Sequence, residues 1–225
     1  MTQLILPLET KNLLDFEHFY PAENELSVAS LRHWPESEWF IFLQGPEGSG
    51  KTHLAEALAG QMLAQGQKVL YLSARHPAFY DSLTHLGFAD VLVIDDFDSL
   101  FPATPDQEQQ LFSFYNQCFE KKSPRLLLLS RIKAMELNIS LKDLASRLQN
   151  GLPLYLKPVR DEHLIEILHS HAQRLAGHLN EDVYQYLLHH LQRASKILVS
   201  SLEKLAESSL KDKRRLTLNY IKKIL

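Results

Sequence analysis

The chain alternates short, almost unbroken apolar runs with longer stretches in which apolar residues recur every three or four positions. The runs are WFIFLQ (39–44), KVLYLS (68–73), VLVIDD (91–96), RLLLLS (125–130) and PLYLKP (153–158). Each has strand length and little polar alternation, which predicts strands buried on both faces. Between them lie amphipathic stretches such as 107–121 and 54–65, where Leu54, Leu58, Met62 and Leu63 recur at helical spacing ahead of Gly66. Alternation of this kind over 13–157 predicts an α/β domain, a parallel sheet flanked by helices. After Pro158 the strand signals stop. Helical segments at about 161–176, 181–191 and 195–208 precede RRLTLNYIKKIL (214–225), which predicts a short extended piece and a last helix. The expected organisation is a flexible tail at 1–12, the α/β domain at 13–157 and a small all-helical domain at 158–225.

Composition changes this picture little. With 45% hydrophobic and 23% charged residues the chain is ordinary globular protein, and a formal charge of −3 leaves only local basic patches for nucleic acid. Cys118 is alone, which excludes an intrachain disulfide and suits a reducing cytosol. No apolar run approaches the ~20 residues of a membrane helix, and the start lacks a basic-then-apolar signal pattern. The expected location is the cytoplasm, with no membrane partner. The eleven histidines do not point to a metal. His169 and His171 fall on different helix faces, as do His189 and His190, and there is no H-E-x-x-H.

Chemistry enters at GPEGSGKT (45–52), a complete G-x-x-x-x-G-K-[ST] phosphate-binding loop between a predicted strand and a predicted helix. Gly45, Gly48 and Gly50 let backbone N–H groups, that of Ser49 among them, close around phosphates. Lys51 supplies a point charge, and the Thr52 hydroxyl has the reach to ligate Mg²⁺. The expected ligand is ATP or ADP. VLVIDD ends its strand on two carboxylates: Asp95 fits the Mg²⁺ shell, and Asp96 fits the group that orients or deprotonates the attacking water. Ser130, at the tip of the next strand, suits contact with the γ-phosphate or its water, although strand tips are polar in any case. In KDLASRL (142–148), Leu141, Leu144 and Leu148 turn inward and leave Arg147 outward. An exposed arginine on such a domain can stabilise transition-state charge in a neighbouring subunit; spacing alone fits a solvated arginine equally well.

FEHFYPAENELSVASL (16–31), GPEGSGKTHL (45–54), VLVIDDFDSL (91–100), SLKDLASRLQNGLPLYLKPVRDEHL (140–164) and RRLTLNYIKKIL (214–225) together resemble AAA+ ATPases of the DnaA initiator clade. Within that clade they resemble its regulatory members. The resemblance covers nearly the whole chain in the family's order, and the DLASRL block and the RRLT…IKKIL ending are more specific than the phosphate loop. It implies that Arg147 is an arginine finger and that the helical part is an AAA+ lid. Where the lid of the family carries a sensor arginine, this chain has Lys196, which keeps the charge and loses the bidentate fork. Arg193, three residues earlier, is a substitute from the same helix face. Arg131 follows Ser130 where initiators tend to carry an acid. The FEHFYPAEN segment matches the family's adenine pocket, with Tyr20 against the base and Asn24 fixing the turn.

The resemblance also makes QLILPL (3–8) a sliding-clamp-binding peptide: Gln3 seeks hydrogen bonds, Leu4, Leu6 and Leu8 fill an apolar pocket, and Pro7 lowers the ordering cost. The implied partners are the DnaA initiator and the β subunit of DNA polymerase III, with DNA reached through the clamp; oligomeric state, a homo-oligomer included, is left open. No helix-turn-helix follows the lid, so an origin-binding initiator is not expected. The leading expectation is a negative regulator of replication initiation that stimulates hydrolysis of DnaA-bound ATP. The alternatives are a self-contained AAA+ ATPase such as a helicase loader, and a scaffold holding ADP permanently.

Overall fold

A computed structural model describes residues 14–83, 89–175 and 179–224. The five apolar runs become β1 (Phe40–Gln44), β2 (Val69–Ser73), β3 (Val91–Asp95), β4 (Arg125–Ser130) and β5 (Leu152–Tyr155). All pair in parallel, in the order β2-β3-β4-β1-β5. Between and before them come α1 (Glu25–Arg32), α2 (Lys51–Ala64), α3 (Phe79–Ser82), α4 (Pro105–Lys121) and α5 (Lys142–Leu148).

Period-two alternation divides the strands between two apolar layers. Phe40, Phe42, Leu92, Ile94, Leu126 and Leu128 share one cluster with Leu111 and Tyr115 of α4 and Leu144 and Leu148 of α5. Residues of the other parity, Ile41, Leu43, Val91, Val93, Leu127 and Leu129, have no exposed surface, and α2 packs against β2, β3 and β4. Truncating such a side chain, as in Phe40→Ala, costs about 3–5 kcal/mol. Helix α4 starts at Pro105 because Thr104 caps it. The Thr104 hydroxyl accepts from the Gln107 N–H at 3.3 Å, and the Gln107 side chain returns the bond to the Thr104 N–H at 2.9 Å.

The chain divides into two compact units. One contains Asn24–Lys157, and the other contains Pro158 onward together with Glu17–Glu23. The second is helical: α6 (Leu164–Leu175), α7 (Glu181–His190), α8 (Ser195–Lys211) and α9 (Leu218–Ile224). Leu168, Val183, Tyr184, Leu187, Leu198, Leu202 and Ile221 form its core. The Glu17–Glu23 strap is tied there by a Ser170 hydroxyl donating to the His18 carbonyl at 2.6 Å and by an Arg160–Glu23 ion pair at 2.6 Å. The architecture is an α/β parallel sheet flanked by helices and followed by a small helical lid. Among the described residues no helix is long and apolar enough to cross a membrane.

Candidate nucleotide-binding site

Residues 45–50 must turn the chain from the end of β1 into the start of α2. Gly48 (φ 77°) and Gly50 (φ 93°) take the left-handed backbone this requires. Gly45 has a different constraint, since a Cβ there would stand 2.6 Å from the Leu156 carbonyl oxygen. Gly50 is the N-cap of α2, and no side chain caps that helix. Its first N–H groups have no intrahelical acceptor and suit an anion.

Lys51 Nζ donates to the carbonyl oxygens of Gly45 (2.6 Å) and Pro46 (2.9 Å), so the loop closes around its own ammonium. Burial lowers the Lys51 pKa, opposed by the nearby charges of Asp95, Asp98 and Asp96. Phosphate in the loop would favour the charged ammonium. Ser49 is buried, and its hydroxyl lacks a hydrogen-bond partner among the described residues. These features fit a bound phosphate chain.

The acidic side of the site is anchored on Asp95. The Thr52 hydroxyl donates to Asp95 Oδ2 at 2.9 Å, bringing the two expected Mg²⁺ ligands together. The Tyr71 hydroxyl donates to the same oxygen at 2.8 Å, and the Asp96 N–H donates to Oδ1 at 2.7 Å. Burial, then the Asp95 charge, raises the Tyr71 pKa far above its ordinary value, so this phenol stays a donor. The all-oxygen pair of Thr52 and Asp95 suits a hard divalent cation. Asp96 has φ 54° and is gripped by Arg75, with Nε to Oδ2 at 2.7 Å and Nη2 to Oδ1 at 3.4 Å.

Ser130 is fully buried, and its hydroxyl turns back on its own loop. It donates to the Ile132 carbonyl at 2.7 Å and accepts the Ile132 N–H at 3.1 Å. Next to it, Arg131 is clasped by Asp98: Nε donates at 2.7 Å, Nη2 lies at 2.6 Å, and the backbone N–H donates at 3.0 Å. The departure at Arg131 therefore has a structural partner in Asp98. Asn24 leaves its own helix uncapped and accepts the Lys157 N–H at 2.7 Å, tying the start of α1 to the segment after β5 rather than fixing a local turn.

Tyr20 lies in the strap of the helical unit, its ring 5.7 Å from that of His163. Lys196 is in the first turn of α8. Arg193 does not share its helix face. Ala194 is extended (φ −125°, ψ 124°), the helix starts at Ser195, and Arg193 precedes it, 3.5 Å from Asp161. Gln3, Leu4, Leu6, Pro7 and Leu8 fall outside the described residues.

Arg147 is half-buried, with its guanidinium carbon 5.1 Å above the ring of the exposed Phe119, a partner that the spacing did not indicate. Leu144 and Leu148 are buried as the spacing predicts, whereas Leu141 is only partly covered and forms the N-cap. Tyr71, Arg75 and Asp98 were missed because each acts across strands. The aspartate pattern of VLVIDDFD was the only sequence signal bearing on them.

Residues 29–174 match the family model described as Novel STAND NTPase 3, and residues 161–225 match the one described as Hda, lid domain. In structure the chain is similar to domain III of the Thermotoga maritima replication initiation protein DnaA, with a TM-score of 0.71 and 20% identity over 92% of this chain and 93% of that one. AMPPCP-bound DnaA from Aquifex aeolicus gives 0.62 and 18%, over 88% of this chain and 63% of that one. The Thermotoga maritima RuvB Holliday junction branch migration motor gives 0.59 and 20%, over 90% and 66%. The chain thus spans just under two thirds of the longer DnaA and of RuvB.

Fold and loop together define a P-loop NTPase of AAA+ architecture. The chain belongs to the family of the Novel STAND NTPase 3 model, which spans most of its length, and with its lid it is a DnaA-clade AAA+ protein resembling Hda.

Proposed function

We propose that this protein is a negative regulator of replication initiation that binds ATP or ADP, docks on the DNA-loaded sliding clamp through residues 3–8, and offers Arg147 to ATP held by DnaA. The observation that carries the reading is the match of residues 161–225 to the Hda lid, alongside a complete phosphate loop. Gly45 to Lys51 cradle the phosphates, with Lys51 charge on the outer ones. Thr52 and Asp95 hold Mg²⁺, which neutralises phosphate charge when bound. Tyr71 and the Asp96 N–H fix the Asp95 carboxylate. Arg75 holds Asp96 away from water activation and keeps turnover in this chain slow. Arg147 then adds charge to a transition state assembled in the partner. The protein works in the cytoplasm and meets the nucleoid through the clamp.

The intact Thr52–Asp95 pair favours a second reading, a self-contained AAA+ ATPase such as a helicase loader. One experiment separates them: hydrolysis of DnaA-bound ATP on clamp-loaded DNA, with intact protein, with residues 1–8 removed, or with neither. The regulator accelerates hydrolysis, and the truncation loses the effect while keeping its fold. No acceleration, with sustained ATP turnover by this protein alone, supports the second reading instead.

A further inference from the structure

Arg147 sits near the end of α5, a helix of seven residues and too short to hold itself in water. Its N-cap is Leu141, which offers no side-chain acceptor. The backbone that leads into α5 is held instead from α4. Glu108, in the first turn of α4 and 1% exposed, accepts the Ser140 N–H at 2.9 Å on one carboxylate oxygen and the Leu141 N–H at 2.6 Å on the other. A buried carboxylate is thus committed to the backbone that starts α5.

The far end of α4 meets the other end of α5. Phe119, 42% exposed, lies under the Arg147 guanidinium, stacks on Tyr115 at 6.3 Å and meets the Trp39 ring at 5.8 Å. Leu111 and Tyr115 of α4 and Leu144 and Leu148 of α5 share the apolar cluster between these two contacts. The same helix therefore grips α5 at its start and at its functional side chain.

We propose that Glu108 and Phe119 are positioning residues for Arg147, with α4 acting as a rigid mount that presents the guanidinium at the protein surface. The inference rests on reading Arg147 as the finger. A free arginine side chain samples many rotamers, and ordering it during the reaction slows the step it serves. An aromatic face holds one side of the planar guanidinium while its N–H donors stay available for phosphate oxygens. Glu108 sets the direction of α5, and Phe119 sets the place of the charge.

The test uses the full chain with DnaA and clamp-loaded DNA. Phe119→Leu keeps apolar volume and removes the ring, Phe119→Trp restores a ring, and Glu108→Gln keeps size but retains only one acceptor. The maximal rate of DnaA-bound ATP hydrolysis, the protein concentration giving half that rate, and ADP affinity are measured together. Phe119→Leu and Glu108→Gln should each lower the maximal rate about tenfold, as expected for a misplaced charge, with half-maximal concentration and ADP affinity within about twofold. Phe119→Trp should keep the rate, and Glu108→Gln should speed amide exchange over 140–148. If Arg147→Ala abolishes stimulation but these variants match intact protein, the mount is wrong and the finger stands. If rate and ADP affinity fall together, Glu108 and Phe119 are merely structural and the proposal fails. If intact protein does not stimulate, the finger reading fails and this inference falls with it.

Discussion

The phosphate loop and the Arg147 mount are both local devices for placing charge, and they are built in opposite ways. The loop is made by neighbours in sequence: β1, residues 45–50 and α2 follow one another, and the bonds of Lys51 reach back only to Gly45 and Pro46. The mount is made by residues distant in sequence, with Glu108 reaching Ser140 and Leu141 and Phe119 reaching Arg147. A contiguous device works wherever its strand and helix form. A distributed one works only when the whole unit is packed, so its function is open to tuning from remote positions.

The comparison is sharpened most by Lys51→Ala. It should weaken ADP and ATP binding at least about 100-fold, measured by calorimetry, because it removes the positive charge that the loop offers to phosphates. The packing between α4 and α5 should be unaffected. Gly45→Ala comes next: the new methyl meets Leu156 O at 2.6 Å and Ser49 Oγ at 2.9 Å. Thermal unfolding should show a loss of about 1–3 kcal/mol, with weaker nucleotide binding. A fully stable variant would mean that the loop yields more easily than its packing implies.

Arg75→Ala frees the Asp96 carboxylate from its fork. ATP turnover by the protein alone should rise by a factor of about three to ten, a small part of the roughly 10²–10⁴-fold that a fully engaged general base contributes. Unchanged turnover would mean that Asp96 has no part in hydrolysis here. The smallest effect concerns Cys118, whose thiol pKa is pushed up to about 12 by burial. Above the ordinary thiol pKa the unfolded chain releases a proton that the folded chain keeps. Stability should therefore fall as pH rises from about 9, by at most ~1.4 kcal/mol per pH unit for this group. Cys118→Ala should flatten the decline between pH 9 and 10 in denaturant titrations.

What was legible in the sequence follows the same division. The five strands, the loop and α2 were read from runs and spacings because neighbouring residues create them. The start of α4 and the end of α8 were shifted by signals outside the periodic pattern, the Thr104–Gln107 cap in one case and burial of the polar Ser209 in the other. Helix α1 escaped notice because it buries only Leu31 and leaves Leu26 exposed, and α3 is a single turn. In the site, Asp95 was recognisable from its strand. The bonds that fix it, from Tyr71 and Thr52, cross between elements and leave no pattern in the chain. Arg193 was placed on the face of Lys196 because periodicity does not reveal that Ala194 is extended. Phe119 carries no signal of its own in the 107–121 stretch, and only the fold brings Arg147 over it.

The most direct test of the account is hydrolysis of DnaA-bound ATP on clamp-loaded DNA with intact protein and with Arg147→Ala, each checked for its own ADP binding. The account predicts that the variant binds ADP as intact protein does and loses about 10³-fold of the acceleration. Equal acceleration by the two proteins would contradict it, because the charge that drives hydrolysis would then come from somewhere other than Arg147.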